Sequence, residues 1–139
     1  MVIKMNQETC IEELMNGLNM GTLAIDHLID KIESHQLRDI VIHQRKNYAD
    51  LLEKIQRHYP HTDNEVKNKF MLESMIELKT LLTNDSKIAR MLIEGCNQSI
   101  MTMTHLLNKE ENLDPNLKSC AHDFGDISKR YIEDLKNFL

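Results

Sequence analysis

A chain of 139 residues with 41% hydrophobic and 28% charged residues has the size and composition of one domain built around its own core. Its formal net charge of -5 leaves no basic stripe to neutralise phosphates, which argues against nucleic acid as a partner. No apolar run reaches membrane-spanning length, and Cys10, Cys96 and Cys120 lack CxxC or Cys/His finger spacing, so they read as free thiols of a reducing compartment.

The amino-terminal "MVIKMNQETC" lacks the apolar core of a signal peptide, and the expected location is the cytoplasm. Four glycines and two prolines supply few turn signals, so the predicted fold class is all-α. The first helix is predicted over 7–33, because Ile11, Leu14, Leu18, Gly21, Ile25, Leu28 and Ile32 recur at steps of three and four, the signature of one buried stripe. Thr9 followed by Glu12 fits a capping box at its start, with Asn6 as an earlier start. The second helix, over 36–58, carries Leu37, Val41, Gln44, Tyr48, Leu51 and Ile55. On a continuous helix that stripe would be rotated by about 120° from the first, so a turn near 33–36 separates them into an antiparallel hairpin.

Pro60 marks the clearest break, and Thr62, Asp63 and Asn64 are good caps for a shorter third helix over 64–83 that carries Phe70, Met71, Met75, Leu78 and Leu82. Asn84, Asp85 and Ser86 end it and cap a fourth helix over 86–109. "LDPN" starts a fifth over 115–138, with Asp114 as N-cap and Pro115 as the first helical residue; its stripe is Leu117, Ala121, Phe124, Ser128, Tyr131, Leu135 and Phe138.

Four long helices with a short one in the middle connection follow the plan of four-helix bundles with one long crossover, ferritin-like folds among them. "KTLLTNDSKIARMLIEGCNQSIMTMTHLLN" and "DISKRYIEDLKNFL" resemble a group of uncharacterised bacterial ferritin-like helical-bundle proteins, and "NMGTLAIDHLIDKIES" and "HQRKNYADLLEKI" look like their first two helices. The resemblance covers nearly the whole chain and implies a fold; it brings no activity with it.

Ferritin-like di-metal enzymes aim Glu residues and two Glu-x-x-His pairs inward, and no Glu-x-x-His occurs here. The positions expected at mid-bundle are Gly21 and Ile25, Gln44 and Tyr48, Cys96 and Ser99, and Phe124 and Ser128, none of them a carboxylate or an imidazole. On a helical wheel Leu92, Cys96, Ile100, Met103 and Leu107 centre the apolar arc of the fourth helix, which puts Glu94, Gln98 and His105 on the solvent side. His122 and Asp126 fall away from Phe124, Tyr131 and Leu135 and are read as a surface pair. His58, His61 and Asp63 form a loop cluster suited to adventitious ions. No metal or other cofactor is therefore expected; the alternative is a divergent metal-binding bundle using Glu94, His105, His122 or Asp126.

Gln44, Tyr48, Ser128 and Tyr131 fall in buried stripes and are expected to form an internal hydrogen-bond network, the alternative being tyrosines that reach solvent at the bundle ends. Gly17, Gly21 and Ala24 on the first helix and Gly95 with Ser99 on the fourth form two small-residue flanks, read either as close packing or as a ligand groove. The nine methionines read as core filler before adaptable pocket. Catalysis has little support: Cys96 is expected to be buried and inert, Cys10 near a helix start has a route to a depressed pKa without an identifiable base, and there is no phosphate loop or serine elbow. The leading expectation is an interaction or small-ligand-binding module rather than an enzyme, with an unspecified protein or small molecule as partner. A homodimer is a further alternative, joined through Phe70, Met71, Leu72, Met75 and Ile76 of the third helix.

Overall fold

The computed structural model describes residues 2–60, 69–79, 81, 83–110 and 112–139, with side chains from residue 7 onward except those at 71 and 78. Five α-helices account for most of it: α1 (Val2–Leu28), α2 (His35–His58), α3 (Lys69–Lys79), α4 (Asp85–Lys109) and α5 (Pro115–Leu135). There is no strand among the described residues, and no helix there is long and apolar enough to cross a membrane.

The first helix begins at Val2, ahead of both predicted starts, because nothing in "VIKMNQ" breaks a helix. Thr9 therefore lies within α1 instead of capping it. The helix tightens into a 3-10 turn over Ile29–Lys31, and Ile32 is extended at φ -82° and ψ 124°. Ser34 caps α2, its hydroxyl accepting the Leu37 N–H at 3.2 Å. The Asp85 carboxylate, from the first turn of α4, accepts the backbone N–H groups of Glu33 and Ser34 at 2.9 Å each, so it fastens the α1–α2 turn across the fold.

At the other end of the molecule Asp114 does similar work. Its backbone N–H donates to Gln7 Oε1 at 3.2 Å, and its carboxylate accepts the Tyr59 hydroxyl. With that carboxylate engaged, Asp114 occupies the predicted N-cap position of α5 without making a side-chain cap. Asn84 does cap α4, accepting the Lys87 N–H at 2.9 Å. The caps predicted for the third helix, Thr62, Asp63 and Asn64, and its Leu82 lie outside the described residues, and α3 as described is the 11-residue stretch Lys69–Lys79.

The four long helices close a ring in the order α1, α2, α5, α4, so α2 and α4 face each other across a diagonal that the segment containing α3 connects. The six α2 side chains picked out by the sequence pattern are the six that are buried. Leu14, Leu18, Leu28, Leu37, Ile55, Ile88, Leu117 and Leu135 are fully buried at the centre of one continuous hydrophobic cluster. α3 rests on α1, with Ile76 sunk to 3% exposure and Glu73 paired with His27 at 3.3 Å.

Candidate functional site

Beneath α3 the two small-residue flanks meet. Gly17, Gly21 and Ala24 on α1 and Gly95 and Ser99 on the adjacent α4 line one cavity of about 320 Å³. Leu72, Met75 and Ile76 of α3 cover it, Met20 and Met91 fill out its walls, and Tyr48, Cys96 and Tyr131 line its inner side. The exposed side chains Lys79, Glu94 and Gln98 border its mouth. This volume lies at the small end of the range for small-molecule sites, about 300–1,000 Å³.

The glycines serve different ends. A Cβ on Gly21 would stand 2.6 Å from Tyr48 Cε2, and one on Gly17 3.3 Å from Phe124 Cζ, so these two let aromatic rings lie against the α1 backbone. A Cβ on Gly95 would meet nothing within 4 Å, and the missing side chain there leaves open space. Close packing and a groove were alternatives from sequence; α1 supplies the first and α4 the second, at one place.

Polar groups gather at the inner side. Gln44, Tyr48, Ser128 and Tyr131 are all buried, which removes the alternative of tyrosines reaching solvent at the bundle ends. Part of the expected network is present, with Gln44 and Ser128 acting on the Tyr48 phenol as hydrogen-bond partners, while Tyr131 takes no part in it. Gln44 Nε2 also donates to the Ile127 carbonyl at 3.4 Å, and the Tyr48 hydroxyl lies 3.5 Å from Cys96 Sγ. Among the described residues the hydroxyl of Tyr131 finds no hydrogen-bond partner. The aromatic rings hold these positions: Tyr48 stacks on Phe124 and meets Tyr131 edge-on, with centroids 6.4 Å apart in both pairs.

Burial is the main reason that the Tyr48 phenol is pushed far above its ordinary range; the Cys96 charge adds to it, and hydrogen bonds with the Gln44 amide and the Ser128 hydroxyl partly offset it. Burial likewise raises Tyr131, reinforced by Tyr48 and Cys96. Cys96 is pushed up to about 11 by burial, against a smaller opposing effect of its contact with Tyr48. At neutral pH the inner side of the cavity is uncharged.

The remaining sequence-selected residues lie elsewhere. Glu94 is exposed and pairs with Arg90 at 3.4 Å while bordering the cavity mouth. His105, His122, Asp126 and His58 are exposed, and His61 and Asp63 lie outside the described residues. Among the described residues no three His, Cys, Asp or Glu side chains cluster closely enough to hold a metal ion. The residues at mid-bundle, Gln44, Tyr48, Cys96 and Ser128, are a poor donor set for paired hard cations, which need bridging carboxylates. Cys10 departs from expectation: because α1 starts at Val2, Cys10 lies inside the helix, and burial followed by the charges of Glu110 and Glu13 raises its pKa.

Comparison with protein-family models, curated proteins and solved structures finds no match for this chain.

Proposed function

We propose that this chain is a four-helix bundle of ferritin-like plan, without a di-metal centre, that holds a small apolar ligand between α1, α3 and α4. The observation that carries the proposal is the cavity of about 320 Å³ where two small-residue flanks meet, one of them ending at Gly95 in open space. The ring order of the long helices, with α3 in the diagonal connection, supports the bundle plan. Three buried free thiols support a reducing, cytoplasmic setting. A two-ring aromatic that hides about 250 Å² of surface gains about 6 kcal/mol before the cost of association, which caps its Kd at roughly tens of micromolar and makes binding weaker once that cost is met.

Fluorescence titration with N-phenyl-1-naphthylamine, a neutral three-ring probe that brightens in apolar surroundings, tests this reading. The wild type is expected to bind it saturably, and Gly95→Leu, which grows a side chain from the cavity wall, to weaken binding at least tenfold without lowering the melting temperature. Non-saturable binding, or equal binding by both proteins, would count against the proposal.

One observation favours a second reading, a homodimer through the outer face of α3: Phe70 is 86% exposed there. That face is narrower than the sequence suggested, because Ile76 is buried inward and Leu72 and Met75 line the cavity. A mass from light scattering that stays monomeric across a concentration series removes it.

A further inference from the structure

We propose that α3 is a lid: it lifts from α1 as a local unit while the four long helices stay packed, and a ligand in the cavity holds it down. This rests on the cavity reading above and adds how the site is opened and closed.

Leu72, Met75, Ile76 and Lys79 of α3 form the outer wall of the cavity, over a floor of small residues on α1 and α4. That wall is lightly fastened. Each long helix packs on at least two others, whereas α3 packs chiefly on α1. Of its described side chains Ile76 alone is buried; Leu72 and Glu73 are half-buried and the rest are exposed. The Glu73 pair with His27, at 3.3 Å, joins two partly exposed side chains and adds little. α3 has 11 residues, fewer than the roughly 12–15 at which an isolated helix becomes even marginally stable in water, so its order comes from docking. One buried isoleucine is a small share of a core that runs through all four long helices, and lifting α3 therefore takes far less free energy than unfolding the bundle.

A ligand supplies packing that α3 lacks. Leu72 and Met75 line the cavity without being buried by the protein, Met75 remaining 45% exposed, so a molecule resting against Gly95 would cover apolar surface on both. With α3 lifted the outer wall is gone and the ligand keeps only the floor, so the lifted state binds it poorly. Linkage then lowers the population of the lifted state by the factor 1 + [L]/Kd, about elevenfold when free ligand stands at ten times its Kd.

Amide hydrogen exchange followed by NMR tests this, with 2-naphthol as the ligand, a neutral two-ring compound whose Kd is first taken from the shift of the Gly95 amide signal. In the free protein the amides of residues 73–79 are expected to be protected at least tenfold less than the slowest amides of α2, and to respond less to low concentrations of urea because lifting exposes little surface. At ten times Kd their exchange is expected to slow by about elevenfold. Protection of 73–79 equal to that of the slowest α2 amides, with the same urea dependence, would make α3 a fixed wall and overturn the proposal. So would an unchanged rate in 73–79 while the Gly17, Gly21 and Gly95 signals shift, an outcome that leaves the cavity reading standing. Glycine signals unmoved by 2-naphthol overturn both.

Discussion

Alanine at two helical glycines is expected to move stability in opposite directions. In a helix interior Gly→Ala gains about 1 kcal/mol from backbone entropy alone. At Gly95 nothing lies within 4 Å of the added Cβ, so the gain stands undiminished and the melting temperature rises by roughly 3 °C for a chain of this size. At Gly21 the added carbon stands 2.6 Å from Tyr48 Cε2, whereas carbon atoms pack at about 3.5–4.0 Å. The ring would have to retreat by about 1 Å. It is held by Phe124 and Tyr131, with centroids 6.4 Å away on both sides, and by its hydroxyl on Cys96. Overpacking of this kind costs about 1–3 kcal/mol, so Gly21→Ala nets a loss of about 1 kcal/mol after the helix gain. Urea unfolding followed by circular dichroism reads both values on one scale. Equal stabilisation of the two variants would refute the seating of Tyr48 on Gly21, and a loss above about 0.5 kcal/mol in Gly95→Ala would refute the open space at α4.

Removing the unpartnered hydroxyl relieves a desolvation cost, so Tyr131→Phe is expected to stabilise the free protein by about 1 kcal/mol; a loss of that size in chemical denaturation would mean the hydroxyl is paired. Asp85→Ala strips two backbone N–H groups of their carboxylate partner at the α1–α2 turn and is expected to cost about 1–2 kcal/mol by the same assay, and a neutral result would show that turn to be held by other contacts. Cys96, with its pKa raised to about 11, carries roughly a hundredfold less thiolate at pH 8 than an ordinary thiol, before steric protection is counted. Its alkylation by iodoacetamide, followed by mass spectrometry, is expected to be slower than that of a free thiol by at least that factor and to accelerate as pH rises toward 11; labelling at the free-thiol rate contradicts the burial.

The α2 stripe was readable in full because a helix fixed against a core repeats its buried side chains with a period that sequence displays directly. The start of α1 was not readable: Thr9 and Glu12 fit a capping box, but a cap motif acts only where the helix ends, and "VIKMNQ" continues the helix past it. Both small-residue flanks were visible, yet nothing local to Gly21 or Gly95 distinguishes a glycine pressed against a ring from one facing open space. That difference is made by Tyr48, 27 positions after Gly21 in the chain, and by α3, which covers the cavity with Leu72, Met75 and Ile76. The buried polar residues were legible as buried, while their partners were not. Hydrogen bonding depends on side-chain direction to within an ångström, and Gln44 turns to a backbone carbonyl, leaving Tyr131 unengaged. Asp85 was read as part of a helix start; its hold on Glu33 and Ser34, more than 50 positions earlier in the chain, leaves no sequence signal.

The most direct test of ligand binding uses the glycines themselves. Four glycines occur in the chain; Gly17, Gly21 and Gly95 line the cavity and Gly125 does not. In a nitrogen-15 correlation spectrum titrated with N-phenyl-1-naphthylamine, ring currents from the bound probe are expected to shift the amide signals of Gly17, Gly21 and Gly95 saturably while Gly125 stays in place. Three unmoved signals at saturating probe, or a shift at Gly125 as large as theirs, would contradict the cavity as the binding site.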